Sequence, residues 1–173
     1  MSPDAGTPAG PAATRPVSAE TDRRIDELLT RFPQKGSALI PALHLIQEEK
    51  GYVPEETMGY VGEKVGVTAA FVQGVVTFYT MFHRRPVGRH HIQICRTLSC
   101  MLRGSREVMN HLRQRLGVEP GGTVTPDGGF SLEWVECLGA CDTAPCAQIN
   151  DEDVPLLDLR KTDALLEKLR GER

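Results

Sequence analysis

Four cysteines in two short motifs are the residues of this chain best suited to chemistry. Cys95 and Cys100 form a C-x4-C motif, and Cys137 and Cys141 form a C-x3-C motif further along the chain. Thiols in two separated pairs can hold zinc, hold an iron–sulfur cluster, form disulfides or perform thiol–disulfide exchange. A [2Fe-2S] cluster suits this arrangement because each of its two irons takes two thiolates. Spacing alone leaves these uses open.

The neighbours of the cysteines favour a cluster without excluding structural zinc. Gly139 and Ala140 are small, so backbone N–H groups can approach inorganic sulfides closely. Cys100 precedes a predicted helix over residues 104–116, whose positive N-terminal end would favour a thiolate. Thioredoxin-type exchange would require C-x-x-C, which the sequence lacks. A disulfide scaffold is disfavoured because the N-terminus shows no signal-peptide pattern.

Length and composition indicate an ordinary globular chain. Its 173 residues suit one domain or two small ones, with 40% hydrophobic and 25% charged residues. A net charge of −3 provides no basic surface for nucleic acid. No apolar run is long enough to span a bilayer, so we expect no direct membrane insertion. Cysteines without an export signal are typical of a reducing, cytoplasmic protein.

The first half of the chain predicts helices alone. Residues 1–17 are rich in Pro, Ala, Gly, Thr and Ser, and we expect them to form a disordered tail. Residues 18–83 contain four short amphipathic stretches with brief loops, which predict an antiparallel helical bundle. Near its end, Phe78, Tyr79 and Phe82 are expected to pack in the core. An exposed interface patch is the alternative.

The hydrophobic periodicity changes in residues 84–173. The pattern there predicts elements in the order β-α-β-β-β-α. Strands near residues 91–95 and 130–135 each lead into a cysteine motif, and short strands follow at 147–150 and 154–157. This order resembles a reduced thioredoxin fold, and both cysteine loops would face one another at one end of the sheet. The predicted fold class is therefore α/β (α+β): a helical bundle followed by a thioredoxin-like domain.

Three other residues could join the site. His90 and His91 could mimic the histidine pair of a Rieske centre, although four cysteines suffice and we expect both histidines to face solvent. Cys146 is expected to be a small buried apolar residue, as free cysteines often are. The alternative for Cys146 is an alternate ligand or a redox partner of Cys141.

Three runs carry a resemblance to a known family. They are ALIPALHLIQEE at residues 38–49, VVTFY at 75–79 and VECLGAC at 135–141. Together they resemble the thioredoxin-like [2Fe-2S] subunit of respiratory complex I, the E subunit of bacterial NADH:quinone oxidoreductase. The resemblance extends from about Ile25 to Leu169. It implies that Cys95, Cys100, Cys137 and Cys141 ligate a [2Fe-2S] cluster.

The resemblance also implies partners. The chain would dock beside the FMN- and NADH-binding subunit, exchange single electrons with reduced FMN, and adjoin the large iron–sulfur subunit. It would lie peripherally at the inner face of the cytoplasmic membrane. No G-x-G-x-x-G motif joins a strand to a helix, so FMN and NADH would be bound by a partner. The chain would then have no complete active site and no catalytic residue of its own.

Other identities remain open at this point. The small diaphorase subunit of an NAD-linked hydrogenase or formate dehydrogenase shares both cysteine pairs. A zinc-stabilised adaptor is an alternative of another class, and a thiol oxidoreductase on the thioredoxin scaffold is a third.

Overall fold

The computed structural model describes residues 16–172 and divides the chain into two compact units. The first unit ends at Arg85 and the second begins at Pro86. Of the tail predicted over residues 1–17, residues 1–15 lie outside the described part of the chain. Val17 is described, and it is buried in the apolar core of the first unit. Helices in the first unit and a mixed second unit confirm the predicted fold class.

From Pro16 onward, the first unit contains four α-helices. They are α1 (Ala19–Leu29), α2 (Leu39–Lys50), α3 (Glu55–Val65) and α4 (Ala69–Phe78), with a 3₁₀ helix at Lys35–Ala38 before α2. Two caps fix helix starts: the hydroxyls of Ser18 and Thr68 accept backbone N–H groups from the first turns of α1 and α4. One face of each helix contributes to a shared core that includes Ile25, Leu43 and Val61.

The expectation that Phe78, Tyr79 and Phe82 all pack in the core is wrong for two of them. Phe82 is buried, but Phe78 is 77% exposed and Tyr79 is 38% exposed. The inward face of α4 is formed by Val72 and Val76. Phe78 follows Val76 by two residues, which is about 200° around the helix, so its ring lies on the opposite side.

The second unit is a four-stranded sheet with three α-helices. The strands are β1 (His90–Cys95), β2 (Phe130–Val135), β3 (Ala147–Ile149) and β4 (Glu152–Val154); the helices are α5 (Leu98–Leu102), α6 (Ser105–Leu116) and α7 (Leu159–Gly171). Their order across the sheet is β2-β1-β3-β4. Strand β1 pairs parallel to β2 and antiparallel to β3, and β3 pairs antiparallel to β4. The predicted order of elements is thus present, with α5 as an addition.

The position of β1 inside the sheet corrects the expectation for the two histidines. All six residues of β1 are buried, including His90 and His91, for which the sequence predicts solvent-facing positions. His91 Nδ1 lies 2.8 Å from the hydroxyl of Ser131 on β2. Both histidines begin the strand that ends at Cys95. At about 3.3 Å per residue, His91 and Cys95 are about 13 Å apart along the strand, so this pair is remote from the cysteine motifs.

The last strand lies earlier than the sequence predicts. The pattern predicts a turn at residues 151–153 and a strand at 154–157, but β4 spans Glu152–Val154. Asn150 has φ 54°, and Ile149 pairs with Glu152, so a two-residue turn closes the hairpin. Leu156 has φ 53°, which stops the strand before residue 157. Asparagine tolerates the left-handed conformation that this turn requires.

Apolar side chains from both sheet and helices form the core of the second unit. They include Ile92 and Ile94 of β1, Leu112 of α6 and Leu166 of α7. Between Pro16 and Glu172, no helix is both long and apolar enough to cross a lipid bilayer.

Candidate metal centre

The parallel pairing of β1 and β2 brings the two cysteine motifs to one edge of the sheet. Cys95 is the last residue of β1, and its register partner is Val135, the last residue of β2. The Arg96 N–H donates to the Val135 carbonyl at 2.9 Å, which continues the pairing one step past the strands. Cys137 follows Val135 by two residues. The predicted meeting of both cysteine loops at one sheet edge is therefore present.

Three buried thiols form the centre of this region. The sulfurs of Cys95, Cys100 and Cys146 all lie within 4.8 Å of one another. Each side chain is almost fully buried, and Ala144 completes their small apolar cluster. Leu138 and Ala140 of the second motif pack against that cluster. The loop after β2 therefore covers the thiols contributed by β1, α5 and the segment before β3.

The remaining two cysteines of the motifs are exposed and lie outside this group of three. Cys137 accepts the Gly139 N–H at 3.4 Å, and Gly139 itself adopts φ 79°. Cys141 begins a short 3₁₀ helix at Cys141–Thr143. The structure thus brings Cys95 and Cys100 into direct proximity, and holds Cys137 and Cys141 on the adjoining exposed loop. All five cysteines are free thiols.

Cys100 occupies a different position from the one that its sequence suggests. The sequence places it just before a helix, but it is the third residue of α5, a helix that the sequence pattern does not predict. Gly104, with φ 97°, separates α5 from α6. Cys100 therefore lies inside α5 and not before α6, and burial raises the pKa of its thiol.

Hydrogen bonds distinguish Cys95 from its neighbours. Burial opposes ionisation of the Cys95 thiol. The Thr97 hydroxyl, 3.2 Å from the Cys95 sulfur, and the backbone N–H groups of Thr97 and Leu138 favour ionisation, and together they outweigh burial. The pKa of Cys95 is therefore lowered. Burial and the contact with Cys100 raise the pKa of Cys146 to about 12.

An ion pair joins the two loops on the outside. The Arg96 guanidinium donates to the Glu136 carboxylate, at 2.8 Å from Nε. Arg96 follows Cys95, and Glu136 precedes Cys137. The contact therefore couples the residues next to the first and third predicted ligands. Both side chains are more than half exposed, so its effect on stability is small.

The chemistry of the donor set fits an iron–sulfur cluster. Thiols, backbone N–H groups and apolar side chains dominate the surroundings of the three buried sulfurs, and soft thiolates are the ligands of such clusters. Two further thiols are available on the adjoining loop. Cys146 is the residue that the motif spacing did not place here. The antiparallel register of β1 and β3 explains the position of Cys146. Ala147 pairs with Ile94, so Cys146 lies beside Cys95.

Comparison with known proteins gives consistent relatives. Residues 25–170 match the family described as thioredoxin-like [2Fe-2S] ferredoxin. An E subunit of NADH-quinone oxidoreductase from Rhizobium meliloti (strain 1021), numbered E 2 in that organism, is 44% identical over 147 residues, covering 85% of this chain and 87% of the relative. NADH-quinone oxidoreductase subunit 2 of Thermus thermophilus is 41% identical over 150 residues, covering 85% of this chain and 82% of the relative.

Solved structures give a similar fold in a longer chain. An NAD⁺-reducing [NiFe]-hydrogenase in the H₂-reduced state aligns with a TM-score of 0.68 and 25% identity over 81% of this chain. The air-oxidised form aligns with a TM-score of 0.66 and 26% identity over 78% of this chain. This chain spans only 23% of the hydrogenase chain in each case.

Proposed function

The chain belongs to the thioredoxin-like [2Fe-2S] ferredoxin family, and on this premise we propose that it is an electron-transfer subunit of an NADH:quinone oxidoreductase. The observation that carries the proposal is the group of buried thiols where two parallel strands end. Relatives 37–44% identical over most of the chain are named subunits of that oxidoreductase.

Four cysteines are assigned as the ligands: Cys95, Cys100, Cys137 and Cys141. Cys95 and Cys100 would bind from the buried side, and the loop after β2 would bring Cys137 and Cys141 from the exposed side. When bound, the [2Fe-2S] cluster supplies one-electron chemistry. The chain excludes water with Leu138 and Ala140 and directs the Thr97 hydroxyl and the Leu138 N–H toward Cys95.

The partner subunits supply the rest of the reaction. FMN and NADH would be bound by a neighbouring subunit, and this chain would receive single electrons from the flavin. A large iron–sulfur subunit of complex I is the second proposed neighbour. The chain contributes no complete active site, and it would lie peripherally at the inner face of the cytoplasmic membrane as part of that complex.

Other functions are less well supported. The diaphorase subunit of an NAD-linked hydrogenase shares the fold, but the hydrogenase structures are 25–26% identical, against 44% for the Rhizobium relative. A zinc-stabilised adaptor would use the same thiols without redox chemistry.

Anaerobic purification of the full chain tests the cofactor. We expect a coloured protein with about two iron and two sulfide per chain, and an EPR signal after reduction. A colourless protein that contains zinc instead would support the adaptor. Co-purification from native membranes, with subunits identified by mass, tests the assembly. Recovery with a nickel–iron subunit would favour the hydrogenase alternative.

Two exposed leucines on α5 are expected to contact the flavin-bearing partner. Leu98 and Leu102 are 74% and 78% exposed, and their i, i+4 spacing places them on one face of the helix that carries Cys100. Replacing both with alanine should weaken assembly by about thirtyfold, because losing two buried apolar anchors at about 1 kcal/mol each removes about 2 kcal/mol of binding free energy. Pull-down with the co-expressed NADH-oxidising subunit measures this effect.

A matched control accompanies the leucine variant. Leu159 is 45% exposed at the start of α7, so Leu159→Ala removes an exposed leucine elsewhere in the same unit. Assembly should then be unchanged. Equal pull-down of the double variant and the wild type, at equal iron content, would exclude this face of α5 as the docking surface.

A further inference from the structure

Cys146 is the thiol of the buried group that the proposed function does not use. It lies between Pro145 and the first residue of β3, and its side chain is 3% exposed. The Cys95 N–H donates to the Cys146 carbonyl at 3.2 Å, so the backbone of Cys146 is fixed to the end of β1. This position is set by the β1–β3 pairing.

The side chain of Cys146 faces one sulfur in particular. The distance between the sulfurs of Cys146 and Cys100 is 3.6 Å, which is within hydrogen-bonding distance for two sulfur atoms. The backbone N–H of Cys146 is also directed at the Cys100 sulfur. The backbone N–H persists in any variant of Cys146, whereas the thiol contact is removed when the side chain is replaced.

We propose that Cys146 is a positioning residue, whose thiol donates an S–H···S hydrogen bond to the Cys100 sulfur and so raises the reduction potential of the cluster. The inference rests on the proposed function, since it takes Cys100 as a ligand. A ligating cysteine carries no proton, so the hydrogen of this contact belongs to Cys146.

The sign of the effect follows from charge. Reduction adds one electron to the cluster, and part of the added negative charge resides on the ligating sulfurs. A donor at Cys100 stabilises the reduced form more than the oxidised form, which raises the potential. The apolar cluster around Cys100 includes Cys95, Ala144 and Cys146.

The test uses three variants of the full chain: Cys146→Ala, Cys146→Val and Cys146→Ser. Iron content and an EPR-monitored redox titration are measured for each. Iron content should equal that of the wild type in all three. With alanine or valine, the ratio of reduced to oxidised cluster at a fixed ambient potential should fall by about three- to tenfold; tenfold corresponds to about 59 mV for one electron. Serine retains a donor and should restore most of the loss.

Two comparisons separate a lost hydrogen bond from general disturbance. Valine fills the space that alanine leaves, so equal shifts in both variants exclude a cavity effect. Thr143→Val removes a hydroxyl that donates to the Ala140 carbonyl in the loop after β2. That variant should leave the potential unchanged.

The outcomes are distinct. An unchanged potential in the alanine and valine variants, at full iron content, overturns the inference while leaving the proposed function intact. Loss of iron in those variants also overturns it, because Cys146 would then be a ligand. A wild-type chain that binds no iron contradicts the proposed function itself.

Discussion

Replacing any one of the four assigned ligands with alanine is expected to reduce iron content by more than about tenfold. The variants are Cys95→Ala, Cys100→Ala, Cys137→Ala and Cys141→Ala. Changes to groups that merely support a metal ligand typically reduce affinity by about 10–100-fold, so removal of a ligand itself should have a larger effect. Iron and sulfide analysis after anaerobic purification, together with visible absorption, measures the loss.

The comparison with Cys146→Ala distinguishes between two possible sets of ligands. Cys146 is as buried as Cys95 and Cys100 and belongs to the same group of sulfurs, whereas Cys137 and Cys141 are exposed. Proximity alone would therefore identify Cys146 as a cluster ligand. The assignment from the two motifs instead identifies the exposed Cys137 and Cys141 as ligands. If Cys137→Ala and Cys141→Ala keep their iron while Cys146→Ala loses it, the ligands are the three buried thiols and the motif assignment is wrong.

The cysteine positions relative to the sheet were predictable because strand ends follow from local pattern. Ile92 and Ile94 precede Cys95, and Phe130, Leu132 and Trp134 precede Cys137, each in alternation with other residues. Two parallel strands joined by a helical crossover then deliver both motifs to one edge. The resemblance to the complex I subunit is confirmed by the relatives and the family match.

Burial of β1 on both faces was not predictable from the same pattern. His91 and Gln93 are polar, and alternation assigned them to a solvent face. β1 is a central strand because β3 pairs with it on the side opposite β2, and this contact joins residues far apart in sequence. Polar residues tolerate that position when they find partners, as His91 does in Ser131.

The predicted burial of Cys146 is confirmed, but its proximity to two other sulfurs was not predictable, for a similar reason. From sequence it is a single cysteine that no motif includes, and buried small cysteines are common. Only the register of β3 against β1 places it beside Cys95 and Cys100. The short helix α5 was missed because its five residues are too few to give a helical period. Both omissions concern the surroundings of Cys100.

Gly88→Ala is expected to destabilise the second unit by about 3 kcal/mol or more. Gly88 is buried where the chain enters β1, and its N–H donates to the Ser131 hydroxyl at 2.9 Å. A Cβ at this position would lie 2.4 Å from the Phe130 carbonyl carbon and 2.7 Å from the Ser131 nitrogen. These are backbone atoms of β2, so they cannot rotate away, and the two strands would have to separate.

Trp134 provides the measurement because it is the only tryptophan in the sequence and lies in β2. Urea unfolding followed by its fluorescence, at equal iron content, should show a lower midpoint for Gly88→Ala. Gly171→Ala is the matched control: Gly171 ends α7, a Cβ there meets nothing within 4 Å, and the change should stay within about 0.5 kcal/mol. An unchanged midpoint for Gly88→Ala would mean that β1 and β2 do not approach as closely as this backbone contact requires.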